Sequence, residues 1–92
     1  MDRPVAYRIL ATVLEKYGAR EFAELASTIG KTQSEEILDA SRVLYAIDIT
    51  VSWSDSTHRD LVIHGRIDDH NTFRFSSLEE KIMVRNPDFV KK

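Results

Sequence analysis

The stretch YAIDITVSW, residues 45 to 53, decides the fold of this chain. Its large apolar residues occupy every second position, with small or polar residues between them: Tyr45, Ile47, Ile49, Val51 and Trp53. Successive side chains of a strand point to opposite faces of a sheet. The alternation therefore predicts a strand with one buried face and one solvent-facing side.

A second strand is predicted over LVIHGRI, residues 61 to 67, after the polar loop SDSTHRD. An antiparallel register with Trp53 opposite Leu61 keeps the apolar residues of both strands on one face. It pairs Val51 with Ile63, Ile49 with Gly65 and Ile47 with Ile67. On the other face Asp48 meets Arg66, a pairing of opposite charges that favours this register. A slip of one residue would turn the whole apolar set outward, so the register is well specified.

A third strand is predicted over residues 72 to 76, after the turn DDHN. Pairing Ile67 with Phe73 places Phe75 beside Gly65, where a ring can fill the space that a missing side chain leaves. The expected sheet is thus a three-stranded antiparallel meander. Its apolar face comprises Tyr45, Ile47, Ile49, Val51, Trp53, Leu61, Ile63, Ile67, Phe73 and Phe75.

The first half of the chain is predicted to form the helices that pack on this apolar face. Helices are expected over about residues 4–17 and 20–29, where apolar residues recur at helical spacing. Gly18 and Gly30 follow them as stop signals. A third helix is predicted over about residues 33–43, where Ser, Thr and Glu residues supply capping signals.

The end of the chain predicts one more helix, over about residues 77–84, because Ser77 and Glu80 form a capping-box pattern. Residues 85–92 are expected to be a tail. The predicted fold class is α+β, in one domain of residues 1–92. N-terminal helices pack on one face of a three-stranded antiparallel β-meander, and a short C-terminal helix follows.

Composition excludes several classes of protein. The chain has no cysteine, which excludes disulfides and thiolate metal sites, and its net charge of −2 differs from the basic balance of most nucleic-acid-binding domains. No apolar run approaches the about 18 residues that cross a membrane. The first four residues lack the order of a signal peptide. We expect a cytoplasmic protein that has no membrane contact.

The order helix, helix, helix, strand, loop, strand resembles the winged helix-turn-helix family. The stretch ELASTIGKT, residues 24 to 32, carries the local match, with Leu25, Ala26 and Gly30 spaced like the family's second helix and tight turn. The resemblance covers residues 4–67 and implies a recognition helix over 33–44 and a wing at 54–60. The DNA contacts it implies would come from Lys31, Thr32, Gln33, Arg42, His58 and Arg59. Three carboxylates on the same helix would repel phosphates, which disfavours DNA as the partner.

Candidate catalytic groups are sparse. His58, His64 and His70 are six residues apart, but the predicted strand places His58 and His70 at its opposite ends, each about 20 Å from His64, too far for one metal ion. Acidic residues and a histidine share each of the two turns, Asp55, His58 and Asp60 in one and Asp68, Asp69 and His70 in the other. These could serve acid–base chemistry, although Asp is also a common turn residue. No glycine-rich phosphate loop and no cofactor motif is present.

The sequence therefore predicts a small non-enzymatic protein-interaction or regulatory domain, and a homodimer is an expected form of it. A sheet edge or an acidic helix face would bind a protein partner, and no cofactor or metal is expected. The candidate contact residues are Glu35, Glu36, Asp39, Arg42 and Phe89. A winged-helix transcriptional regulator is the first alternative. A small enzyme with acid–base residues in the turns is the second.

Overall fold

The computed structural model describes residues 3–69 and 77–87, which form two helices and four strands. In chain order these are α1 (Arg3–Gly18), α2 (Phe22–Ala26), β1 (Thr32–Leu38), β2 (Leu44–Trp53), β3 (Leu61–Asp69) and β4 (Ser77–Val84). The strands form one antiparallel sheet in the order β1-β2-β3-β4. The fold is α+β, with β1 and β4 at the two edges of the sheet.

The predicted pairing of the two central strands is confirmed. Trp53 lies opposite Leu61, Ile49 opposite Gly65 and, on the other face, Asp48 opposite Arg66. Both strands extend beyond their predicted ends, β2 by one residue and β3 by two. The apolar alternation set this register because a one-residue slip would have exposed the buried face of both strands.

The core lies between the sheet and the helices, and α1 covers mainly β3 and β4. The residues that are almost fully buried are Ala6, Leu10, Val13, Leu14, Tyr17, Leu25, Tyr45, Ile47, Ile49, Val51, Leu61, Ile63 and Ile67. The predicted helices over 4–17 and 20–29 correspond to α1 and to the shorter α2. Seven of the ten residues predicted for the apolar face are in this core, and Trp53 is half-buried against it.

The prediction of a third helix over residues 33–43 is wrong. Residues 32 to 38 form β1, which pairs with β2 so that Thr32 meets Thr50 and Leu38 meets Leu44. The turn after it is closed by Asp39, whose carboxylate accepts hydrogen bonds from the backbone N–H groups of Ser41 and Val43, both at 2.9 Å. The Ser, Thr and Glu residues that suggested a helix cap lie within β1 itself, and Asp39 closes the hairpin turn after it. The segment compared with a recognition helix is a strand and a turn.

The prediction of a helix over residues 77–84 is also wrong, since these residues form β4. Ile67 pairs with Leu78 and Gly65 with Glu80, so the predicted pairing of Ile67 with Phe73 is wrong as well. The ring expected beside Gly65 is replaced by α1. A Cβ atom built on Gly65 would lie 2.9 Å from Leu10 Cδ1 and 3.0 Å from Leu14 Cδ2. The predicted strand over 72–76 and the tail residue Phe89 lie outside the described residues.

Candidate functional site

The residues predicted to form an acidic helix face are separated by the strand. Glu35 lies on the helix-covered face of the sheet, beside Ile47, whereas Glu36 lies on the opposite face, beside Ala46. Asp39 and Arg42 belong to the hairpin turn after β1, where Arg42 has a positive φ of 67°. The predicted acidic helix face is therefore wrong, because Glu35 and Glu36 belong to the edge strand β1 and Asp39 and Arg42 to the turn after it.

Glu35 is held by two residues of α1. Its Oε2 accepts a hydrogen bond from the Tyr17 hydroxyl at 2.8 Å, and Lys16 Nζ lies 3.1 Å from both carboxylate oxygens. The guanidinium of Arg20 stacks over the Tyr17 ring at 4.2 Å from its centroid. This cluster fastens the edge strand β1 to the helix layer.

The same contacts determine the protonation of the cluster. Burial would raise the pKa of Glu35, but hydrogen bonds from Tyr17 and Lys16 outweigh it and hold that pKa below its usual value. The pKa of Tyr17 is raised by burial and by its hydrogen bond to the Glu35 carboxylate. Glu35 is therefore an ionised structural anchor, because hydrogen bonds from Tyr17 and Lys16 hold its carboxylate.

The residues proposed for DNA contact fall at two ends of the sheet. Lys31, Thr32 and Gln33 lie at the start of β1, the end of the sheet that also holds the loop over 54–60 with His58 and Arg59. Arg42 follows the other end of β1, about 20 Å away along a seven-residue strand. Five of the six predicted residues thus share one end, and Arg42 is separate.

The loop over 54–60 is organised by its own side chains. The His58 ring stacks on the Trp53 indole with centroids 5.0 Å apart and an interplanar angle of 10°. Asp55 accepts hydrogen bonds from the side chain and the backbone N–H of Thr57, which lower the pKa of Asp55. Asp60 accepts from the backbone N–H of Asn86 at 3.1 Å. These contacts show that Asp55, His58 and Asp60 hold the loop in its conformation and pack it against the sheet.

The acid–base alternative places its candidate groups in two turns, and a site that combined them would have to join opposite ends of the sheet. Asp68 lies on the far end of β3 from His58, and a nine-residue strand separates the two turns by about 25 Å. His64, midway along β3, has Nε2 2.9 Å from the Glu79 carboxylate on the exposed face of the sheet. Within residues 3–69 and 77–87, no group of three or more His, Asp or Glu side chains could hold a metal ion. His70 lies outside these residues.

A groove runs between α1 and the edge strand β4. It has a volume of about 390 Å³ and is lined by Tyr7, Ala11, Leu14, Glu15, Glu80, Lys81 and Ile82. The Tyr7 side chain is 51% exposed, although it is one of the largest apolar groups of the helix. The groove therefore combines an apolar wall from α1 with two carboxylates, Glu15 and Glu80, and one ammonium group, that of Lys81.

A second, shallower cleft of about 250 Å³ lies on the other face of the same strand. It is lined by His64, Glu79, Glu80 and Lys81, so Glu80 and Lys81 of β4 line both the cleft and the groove. Among the described residues β4 is an edge strand, which pairs with β3 on one side only. The backbone N–H and C=O groups on its other side are of the kind that a further strand can pair with.

The sequence did not identify this groove, because residues 77–84 were predicted to be helical. A signal was present: Leu78, Ile82 and Val84 lie at even positions and alternate with Glu79, Lys81 and Met83. Glu80 interrupts the alternation and completes the capping-box pattern with Ser77. Glu80 lies opposite Gly65 in the sheet and lines the groove.

Comparison with protein-family models, with curated proteins and with solved structures finds no match to this chain. Over the part of the chain that the structure describes, no helix has the length and apolar character needed to cross a membrane.

Proposed function

We propose that this chain is a non-enzymatic protein-interaction domain that binds an extended peptide segment of a partner along the edge of β4. The observation that carries the proposal is the groove between α1 and β4, which places an apolar wall beside an edge strand. In strand addition, backbone hydrogen bonds supply affinity and pockets for alternate side chains supply specificity. An edge strand flanked by a helix offers both.

The groove favours a particular peptide chemistry. Side chains of an added strand that point to the helix-covered face would lie beside Glu80 and Ile82, because neighbouring strands share a face at each register position. An apolar residue there would contact Ile82, Ala11 and the exposed Tyr7 ring. A Lys or Arg two positions away would meet Glu80 and Glu15. The preferred segment thus carries an apolar and a basic residue separated by one position.

Binding of a short peptide by strand addition requires one well-placed anchor residue on the domain. A short added strand loses much of its hydrogen-bond energy to the ordering of the peptide, so affinity depends on buried aromatic contacts. Tyr7 is suited to this role because half of its side chain is exposed at the groove. We expect affinities in the micromolar range, about −8 kcal/mol.

The proposal is tested with a displayed library of random nine-residue peptides, selected on the purified chain. The selected peptides should carry the apolar–x–basic pattern, and binding should shift NMR amide signals of residues 77–84 and of Tyr7 and Ala11. The variant Ala11→Gln fills the groove with a side chain that suits a helix. It should weaken binding at least about tenfold, a loss of about 1.4 kcal/mol.

The matched control is Thr12→Gln, since Thr12 is the next residue of the helix, is exposed and does not line the groove. It should leave peptide affinity within about twofold of the parent. Urea unfolding of both variants shows that the fold is retained. Failure to select any peptide would contradict the proposal, as would peptides whose binding is unaffected by Ala11→Gln.

A further inference from the structure

The opposite edge of the sheet points to a different partner. We propose that β1 pairs with β1 of a second copy of this chain, antiparallel and centred on Ser34, to form a continuous eight-stranded sheet. The β1 and β4 edges lie on opposite sides of the sheet. This self-association therefore leaves the β4 groove open and is independent of peptide binding there.

The charges of β1 select the register. Suppose that two copies are related by a twofold axis perpendicular to the sheet. Directly opposed residues of the two β1 strands then point to the same face of the sheet. One residue therefore lies on the axis, opposite its counterpart in the other copy, and the residues on either side of it pair symmetrically. Three registers pair at least five residues of Thr32–Leu38 in each copy, namely those with Ser34, Glu35 or Glu36 on the axis. The last two place a glutamate directly against the same glutamate of the other copy. Like charges in that position are destabilising.

The Ser34 register instead sets donors against acceptors. Gln33 faces Glu35 of the second copy on the helix-covered face, and Thr32 faces Glu36 of the second copy on the open face. Each contact occurs twice because the arrangement is symmetric. Lys31, which directly precedes β1, lies diagonal to Glu35 and Asp39 of the second copy. That separation is within reach of a long side chain.

Gln33 has an unpaired donor that this register satisfies. Its Nε2 atom is buried and has no hydrogen-bond partner within residues 3–69 and 77–87, a state that buried polar groups rarely keep. An ionised carboxylate has about four acceptor sites. Glu35 uses Oε2 for Tyr17 and Lys16 and uses Oε1 for Lys16. Its Oε1 can accept one further bond, which a rotation of the Gln33 amide of the second copy would supply.

The register is tested by single-cysteine crosslinking, which is unambiguous because the chain has no cysteine of its own. Facing residues of antiparallel strands have Cα atoms about 4.5–5.5 Å apart, within disulfide range. Ser34→Cys should therefore give a disulfide-linked dimer in a glutathione redox buffer. In the matched control Glu36→Cys, the two Cα atoms would be about 13 Å apart, and the yield should be several-fold lower. Equal yields, or a higher yield for Glu36→Cys, would overturn the register.

Non-covalent association is measured by sedimentation equilibrium from about 10 µM to about 1 mM, since a small interface gives a weak dimer. Thr32→Lys places a cation against Glu36 of the second copy and should lower the dimer dissociation constant several-fold. Thr32→Glu should raise it by a similar factor. Both effects should shrink in high salt. The control Ser52→Lys makes a similar charge change on the exposed face of the central strand β2.

Two results would overturn the proposal. One is a monomer at every concentration, and the other is a dimer that responds equally to the changes at Thr32 and Ser52. Circular dichroism and urea unfolding confirm that each variant is folded. Peptide binding at the β4 groove, measured on the same variants, should be unchanged. Failure of self-association is in this way distinguished from failure of the proposed function.

Discussion

Gly65 is the point of closest approach between α1 and the sheet, and Gly65→Ala tests how tightly the two layers pack. The added Cβ would lie 2.9 Å from Leu10 Cδ1, 3.0 Å from Leu14 Cδ2 and 3.3 Å from Ile49 Cδ1. Carbon atoms pack best at about 3.5–4.0 Å. The two leucines would have to move by roughly 0.5–1 Å, although both are buried in the core, at 0% and 1% exposure.

Two opposing free-energy terms set the change in stability caused by Gly65→Ala. Overpacking a core typically costs about 1–3 kcal/mol, whereas replacing a strand glycine by alanine recovers about 0.5–1 kcal/mol of backbone entropy. The net expectation is a loss of about 1 kcal/mol from a stability on the order of 5–10 kcal/mol. This corresponds to a fall in Tm of about 4–8 °C.

Urea unfolding followed by the fluorescence of Trp53, the only tryptophan, measures this loss. Leu10→Val removes a methylene group at the contact, so combining it with Gly65→Ala should destabilise less than the sum of the two single changes. Gly30→Ala is the control. Gly30 has a φ of +88° but no atom within 4 Å of a built Cβ, so its cost is conformational and should add to that of Leu10→Val. A Gly65→Ala protein as stable as the parent, or additive effects with Leu10→Val, would refute this account of the packing.

Three further changes follow from the hydrogen bonds. Because its pKa is lowered in the fold, Glu35 stabilises the protein above its unfolded pKa and loses this contribution as the pH falls. Glu35→Gln should therefore cost about 1 kcal/mol at pH 7 and flatten the decline in stability between about pH 5 and 3, measured by urea titration. The raised pKa of Tyr17 predicts a loss of stability above about pH 10, and Tyr17→Phe should remove this loss. A Tyr17→Phe protein that loses the same stability at alkaline pH would contradict this. Asp39→Ala should cost about 1 kcal/mol in a melting experiment, and Asp39→Asn, whose amide oxygen can still accept, should cost less; equal losses would contradict the hairpin geometry.

The central hairpin was predictable from the sequence because the alternation of its apolar and polar residues shows which side chains are buried. Strands β2 and β3 are covered on one face along most of their length, so apolar residues recur at every second position. Two such strands admit one register that buries both sets, and that register is the one observed. The pairing of Asp48 opposite Arg66 followed without further information.

The edge strands were not predictable in the same way. β1 reads TQSEEIL, and its polar residues resemble a helix start, because Ser, Thr and Glu satisfy free backbone donors in the first turn of a helix. An edge strand has one neighbour and remains partly hydrated, so its sequence need not alternate. β4 was mistaken for a helix for the same reason.

The sequence by itself determined a sheet with one apolar face, the pairing at its centre and the need for a helical cover. Only the tertiary structure decided which residues form the edges, that the leucines of α1 rather than an aromatic ring fill the space at Gly65, and that a groove opens beside β4. The physical reason is that burial of one face of a strand produces a local pattern in the sequence, with apolar residues at every second position. The choice of a hydrogen-bonding neighbour for a polar strand depends instead on groups distant in sequence, such as Tyr17 and Lys16 for Glu35.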